Sequence, residues 1–441
     1  MLAANRQNSL HQSPRRFQLQ AITQEPKSAV ENQYAATQNA ASQDWSSYRE
    51  RAYAAGREYV AAVDKITPQI AARREETEQI GKVPDSSVEA MTQAGVFRAM
   101  TPLRWGGLEM DPASFFEGIM KIAAADASAA WIGGQLNVHS FEIALMDGRM
   151  QEEFWATGPD TRASSAYAPS GKAIAVDGGY ILSGTWTFSS GVDHAQWAIL
   201  GGGDKNFVVP RSDYTIHQDS WDVQGLRGTG SKSITLDDAF VPEYRVHRLI
   251  DTFNDANPGW ALNDGPLYRL SWMGIFNSTI CNSAIGAATG GLNAFIEETR
   301  VRLSKRGTGV PVVENPFMHL RLANALSRVN TVRSRHLANW RNLFDMACRG
   351  EESTPLERMR VRFESTDSTA TSFEALGEIW PVAGAGAVAS NHPLQQVYRD
   401  LMAMRLHGSA GRDNAAGMYI KALFDLPGPK FTNMGTLAYY K

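Results

Sequence analysis

Four stretches carry side chains able to do chemistry. Thr185-Trp186-Thr187-Phe188-Ser189-Ser190-Gly191 alternates polar and aromatic residues, then ends in two hydroxyls and a glycine. A strand ending this way can lay backbone amides and a hydroxyl against the edge of a flat heteroaromatic ring, with Gly191 permitting close approach. Arg162-Ala163-Ser164-Ser165-Ala166-Tyr167-Ala168-Pro169 offers a second small polar edge. His139 lies in an otherwise small and largely apolar run, Gln135 to Ser140, and His407 closes Arg399-Asp400-Leu401-Met402-Ala403-Met404-Arg405-Leu406. Imidazole is the side chain best suited to moving protons near neutral pH. The same residues also read as an amphipathic sandwich strand, a helix-to-strand loop and two satisfied core histidines, and spacing alone leaves both readings open.

Other motifs fail on context. Gly384-Ala385-Gly386-Ala387-Val388-Ala389 has dinucleotide-loop spacing, but it sits in a helical region just after Pro381 and reads as a helix-helix junction. From Gly225 to Ser233 a phosphate loop is imitated, yet Ser231 stands where the lysine belongs and Lys232 comes one place late. The nine histidines form no metal-binding pattern; His139/Glu142 and Glu243/His247 have helical spacing without a further ligand nearby, so no metal site is expected.

The elements that must position these residues change period twice along the chain. Residues 1–45 are rich in Gln, Asn, Ser and Ala and read as a disordered arm without the apolar region of a secretory signal. Residues 46–158 have helical spacing, with a capping box expected at Ser86 and Glu89. The period becomes two over 159–262, where Asp177-Gly178 joins two apolar runs as a hairpin. Helical spacing then returns over 263–425, with long segments near 278–302, 316–348 and 355–382, before a tail at 426–441. Helices, strands, helices in sequential blocks argue for an α+β fold rather than alternating βαβ units.

Composition limits the function classes. The 441 residues are 43% apolar and 20% charged, which is globular. Lys+Arg 43 against Asp+Glu 46 gives a net charge of -3, too balanced for a nucleic-acid binder. No stretch is apolar and long enough for a bilayer, and the two cysteines fit a reducing, cytoplasmic setting rather than a disulfide framework.

Several short stretches carry a family resemblance. These are Val83-Pro84-Asp85, Trp105-Gly106-Gly107-Leu108-Glu109-Met110, Ala163-Ser164-Ser165, Ser189-Ser190-Gly191 with Asp193-His194-Ala195, Pro210-Arg211-Ser212-Asp213-Tyr214, Gly230-Ser231-Lys232 and Val241-Pro242-Glu243-Tyr244-Arg245. Set on the helix, β-domain, helix order over about 50–420, they resemble the acyl-CoA dehydrogenase fold. The likeness is closest to its flavin-dependent monooxygenase branch (group D), and within that to the oxygenase component of two-component p-hydroxyphenylacetate hydroxylase. The resemblance implies an N-terminal helical domain, a central β-domain and a C-terminal helical bundle. It implies an oxygenase that receives reduced FMN or FAD from a separate NAD(P)H:flavin reductase, reacts with O2 through a C4a-hydroperoxyflavin, and hydroxylates a phenolic or heteroaromatic substrate such as an indole. Ser190 resembles a serine near flavin N5 and His407 a histidine that assists hydroperoxide formation. His139 and Ser165 resemble substrate-contacting positions, and Tyr167 is expected to bind substrate beside them, although there and at Gly133-Gly134-Gln135 the pocket departs from the family. Ser189 and Trp186 complete the flavin-facing strand. A homotetramer is implied too, with Arg300 or Arg302 expected at a flavin phosphate across an interface, because guanidinium forks suit phosphate. The rival within the fold, an acyl-CoA dehydrogenase, needs a carboxylate base, whereas Leu406-His407-Gly408-Ser409 has none. A catalytically silent flavin-fold binding protein is the third reading.

Overall fold

The computed structural model describes residues 44–426 apart from 169, 249–250, 252–255 and 304–308. The expected arm and tail fall almost wholly outside the described residues. Helix α1 (Ser46–Ala72) buries Ala52, Gly56, Tyr59, Val63 and Ile70, a stripe at helical spacing that faces the core. After α2 (Arg74–Ile80) and α3 (Asp85–Gln93) comes α4 (Pro112–Ala125), which Asp111 caps by accepting the Ser114 N–H. Helix α5 (Ala127–Ala144) is capped by Asp126, which accepts from the Ser128 and Ala129 amides, and all 18 of its residues are buried. A short α6 (Gly148–Phe154) leads to the strands.

Two four-stranded sheets follow. One runs β1 (Ala163–Ala166), β4 (Trp197–Gly202), β5 (Lys205–Pro210), β8 (Val246–Arg248), with β1 and β4 parallel. The other runs β2 (Lys172–Val176), β3 (Gly179–Ser189), β7 (Lys232–Pro242), β6 (Thr215–His217), all antiparallel. The Asp177-Gly178 turn joins β2 to β3, with Gly178 at φ 75°. Leu182, Trp186, Leu200, Phe207, Val209, Ile234 and Leu236 fill the space between the sheets. Alternate residues Trp197, Ile199 and Val208 turn the other way and pack on the helices, so β4 is buried on both faces.

The C-terminal bundle holds α7 (Trp272–Val301), α8 (Pro316–Cys348), α9 (Pro355–Ile379), α10 (Pro393–Arg405) and α11 (Arg412–Leu423). The Gly384 run is a short turn at the junction before α10. One expectation is corrected: Ser86 and Glu89 form no capping box. Helix α3 begins two residues earlier, at Asp85 after Pro84, which puts Ser86 inside the first turn, and no side chain caps it. A capping box closes instead at Thr354, whose hydroxyl accepts the Glu357 N–H at 3.1 Å while the Glu357 carboxylate accepts the Thr354 N–H at 2.8 Å.

The loop before β7 is tied to the bundle by Leu226, which sits at φ 57° and donates its N–H to Asp400 Oδ1 at 2.6 Å. Burial, reinforced by Glu78 and Asp126 against the opposing Leu226 amide and Arg399, pushes the Asp400 carboxyl up to about 8. Folded Asp400 therefore keeps its proton to about pH 8, whereas the unfolded side chain loses it near 3.8. Its favourable share of stability is complete at low pH and fades as pH rises between those two values. Asp400→Asn still offers an oxygen to Leu226 and cannot ionise. Its melting temperature in calorimetry should fall less than wild type as pH is raised across that window, and parallel profiles would show that Asp400 is already ionised in the fold.

Candidate active site

Trp131, Gln135, His139 and Glu142 recur every three or four residues and so share one face of α5. That face meets the ends of β1 and β3 and the first turns of α7. Near its start, the Trp131 indole N–H donates to Ser190 Oγ at 3.1 Å. Ser190 Oγ lies 2.8 Å from Ser231 Oγ, which lies 2.7 Å from Thr229 Oγ1. Ser190 reaches this place through a bulge: pairing of β3 with β7 shifts register between Trp186 and Ser189, and Phe188 adopts φ 64°. Bulges of this kind re-aim side chains at the rim of a sheet. Ser189 is fully buried and donates to Ser164 Oγ at 3.0 Å. Gly191, at φ 72°, passes so close to α5 that a Cβ there would stand 3.1 Å from the Leu136 side chain.

His407 follows α10 and sets its ring 5.5 Å from Trp131 and 6.5 Å from Phe276, centroid to centroid. Its Nδ1 accepts the Ser409 N–H at 3.1 Å, so the neutral ring carries its proton on Nε2. Burial pushes the His407 imidazole down to about 4, which keeps it neutral. His139 is arranged the opposite way. Its Nδ1–H donates to the Ala163 carbonyl at 2.5 Å, and its buried Nε2 is without a partner, a lone pair held ready. Burial lowers its pKa as well, against the pull of Ala163 and Glu142.

Tyr167 walls the same region with its ring, edge-on to His139, Trp272 and Phe276. Its hydroxyl is committed elsewhere, donating to Glu142 Oε2 at 2.5 Å. Glu142 Oε1 lies 2.9 Å from Asn206 Nδ2 and 2.8 Å from His247 Nδ1. Burial alone would raise the Glu142 carboxyl, but His247, Tyr167 and Asn206 together hold it below its ordinary value. Ser165, half-buried on β1, lies beside the Tyr167 phenol.

The structure thus gathers Ser190, Ser189 and His407 at one end of the stripe, and His139, Tyr167 and Ser165 at the other. It places the remaining expected residues elsewhere. Trp186 points into the sandwich core and donates to the Gly201 carbonyl at 2.8 Å, because the alternation of β3 turns it inward. The exposed aromatic of this strand is Phe188, 69% accessible and edge-on to Trp221. Arg300 is exposed beside Glu297, and Arg302 is bound to the Val382 and Ala383 carbonyls, roughly 35–40 Å along α7 from Phe276. Sequence reasoning missed Trp131, Thr229 and Phe276 as site residues, and weighed Glu142 and His247 only in separate pairs that the fold re-sorts into one. Among the described residues no cluster could hold a metal, and no helix is long and apolar enough to cross a membrane.

Residues 278–411 match the family described as acyl-CoA dehydrogenase, C-terminal domain. Over 375 residues the chain is 35% identical to the oxygenase subunit of the flavin-dependent monooxygenase HsaA of Rhodococcus jostii, spanning 83% of this chain and 98% of that one. It is 32% identical over 368 residues to the oxygenase component of p-hydroxyphenylacetate 3-hydroxylase of Acinetobacter baumannii, covering 80% and 86% of the two chains. The crystal structure of the HsaA monooxygenase from M. tuberculosis matches with a TM-score of 0.80 at 34% identity, over 85% of this chain and 99% of that one. The chain belongs to the flavin-dependent monooxygenases of the acyl-CoA dehydrogenase fold. It is the oxygenase component of a two-component system that acts on an aromatic substrate with reduced flavin, which a separate reductase supplies.

The site of this oxygenase fits such a ring. Trp131, His407 and Phe276 supply flat walls, Ser190 and Gly191 a small polar edge, and His139 carries an unpaired ring nitrogen farther along the same face. The Tyr167 hydroxyl, in contrast, serves the scaffold. Tyr167→Phe keeps the ring and strips a donor from buried Glu142, which should cost about 1–3 kcal/mol of stability in chemical denaturation. Unchanged stability with a raised KM for the aromatic would instead assign the hydroxyl to the substrate.

Proposed function

We propose that the oxygenase hydroxylates an aromatic bearing an O–H or N–H group, with His139 as its proton acceptor and His407 as the donor on the oxygen side. The observation that carries this is the opposite tautomers of the two rings: His139 offers a bare Nε2, His407 an Nε2–H. The names of relatives include p-hydroxyphenylacetate, resorcinol and indole-3-acetate, compounds that share such a proton. A phenol becomes a stronger nucleophile at the ring as its proton leaves, and His139 Nε2 is positioned to take it. His407 Nε2–H steadies negative charge developing on oxygen, an interaction that gains strength where water is excluded.

Ser189 and Ser190 hold the ring edge of the flavin, reduced FMN or FAD, which when bound delivers one atom of O2 to the substrate. Ser165 and the Tyr167 ring shape the substrate side. We further infer a cytoplasmic homotetramer. The bundle leaves Val301, Phe317, Leu320, Val388 and Leu406 exposed, more apolar surface than a lone bundle needs. Arg300, whose guanidinium is exposed, or Arg302 would then reach a flavin phosphate in a neighbouring subunit. Buried Cys281 and Cys348, both free thiols, suit a reducing compartment.

Supplied with reduced flavin by any reductase, the protein should add one oxygen to a phenol or indole in a mass-read substrate screen. A screen yielding only hydrogen peroxide would sink the reading. His139→Ala should leave flavin oxidation in air unchanged and lower product formation by about 10²–10⁴-fold. His407→Ala should slow the first absorbance change after oxygen mixing even without substrate. If both variants fail at the same step, the division of labour is wrong.

A further inference from the structure

The hydroxyl chain beside Trp131 ends on a group that can only accept, and this fixes the direction of every bond in it. Thr229 Oγ1 donates to the Leu226 carbonyl at 2.8 Å. A carbonyl has no proton to give, and a hydroxyl has one. Thr229 has therefore spent its proton and can only accept from Ser231 across their 2.7 Å contact. Ser231 has then spent its own, and must accept from Ser190 across 2.8 Å. At the far end the Trp131 indole, a donor only, gives its proton to Ser190. The reverse direction would leave a hydroxyl oxygen and a carbonyl oxygen facing each other with no proton between them. Thr229 and Ser231 are buried, so water cannot repair such a mismatch. The Leu226 carbonyl is itself held in place, since it also accepts the Thr229 N–H at 3.1 Å.

We propose that Thr229 and Ser231 are positioning residues that turn the Ser190 proton away from the ligand, so that Ser190 presents a lone pair and selects a ring edge bearing N–H. This rests on the reading of the site as a flavin pocket. Reduced flavin carries N–H at N5, whereas oxidised flavin has a bare acceptor nitrogen there, which would meet the Ser190 lone pair without a proton between them. The chain thus favours the form that the reductase delivers and weakens the hold on the form that must leave. No other described interaction gives Ser190 a direction, because a Trp131 donor alone would leave its proton free to turn to either side.

The test is the ratio of dissociation constants for oxidised and reduced FMN, the first by equilibrium dialysis and the second by anaerobic titration. Wild type should prefer reduced FMN. Thr229→Val, close in shape, and Ser231→Ala both free the Ser190 proton and should shrink the ratio by about tenfold, largely through tighter binding of oxidised FMN. Thr229→Ser restores the donor and should restore the ratio. Folded Thr229→Val or Ser231→Ala protein with the wild-type ratio overturns the proposal, as does a Thr229→Ser variant that behaves like Thr229→Val. Should either variant fail to fold, the other reads the same polarity. Wild type that binds neither form of FMN nor FAD overturns the flavin reading itself, a result distinct from an unaltered ratio.

Discussion

A helix with no solvent-facing side is the constraint on which the rest depends. Every residue of α5 is buried, because α4 and α7 flank it, β1 meets its inner face, and the loop before β7 covers its first turn. Such a helix has no polar surface on which to place a charge or an imidazole at low cost. Each polar side chain it carries must find a partner inside the protein or be left open for a ligand. Gln135 donates to Thr279 on α7 at 2.7 Å, Glu142 gathers three donors, and Trp131 donates to Ser190. His139 alone on this stripe keeps a bare nitrogen.

The backbone sets which nitrogen that is. The carbonyl of Ala163, at the first residue of β1, accepts from His139, and the amide of Ser409 donates to His407. A main-chain acceptor and a main-chain donor thus select opposite tautomers for two rings 268 residues apart in sequence. Because burial keeps both rings neutral, each tautomer is one defined state rather than a mixture of charged and uncharged forms. Moving β1 or the end of α10 by the length of a hydrogen bond would undo this, so sheet and bundle share the task of defining the chemistry.

Much of this was legible in the residues. The change from helical to strand period, the Asp177-Gly178 turn and the junction at Gly384 follow from local rules, and the structure has all three. The hydroxyls at the end of β3 and the two histidines were visible as chemistry. The failures have physical causes. Trp186 and Phe188 lie two apart, so period-two reasoning puts both on one face; a bulge between them and Ser189 was not readable, and it separates their fates. The capping-box pattern at Ser86 was two residues out of phase with a helix that Pro84 and Asp85 start early. Thr229 and Ser231 were passed over in a rejected phosphate loop, since their partner, Ser190, is some forty residues away and only pairing of β3 with β7 brings them together. Glu142 was read only as half of a helical pair with His139, because its partners Tyr167, Asn206 and His247 lie on elements far off in sequence.

The same burial argument separates oxygenase from dehydrogenase chemistry on this fold. Removing a proton next to a thioester calls for a carboxylate with a free lone pair and a raised pKa, close to the flavin edge. Beside the Trp131 and His407 walls the turn after α10 reads Leu406-His407-Gly408-Ser409 and offers no carboxylate. Glu142 is the carboxylate on the α5 stripe, and it is unsuited twice over. Donors from Tyr167, Asn206 and His247 occupy its oxygens, and together they lower its pKa, which makes it a weaker base. What the site holds instead is a neutral acceptor and a neutral donor, facing a region lined by Trp131, Phe276 and the Tyr167 ring. Neutral groups can exchange a proton with a phenol or an indole without leaving a stranded charge in the dry interior. That suits oxygen transfer to an aromatic, and it leaves acyl-CoA oxidation without its base.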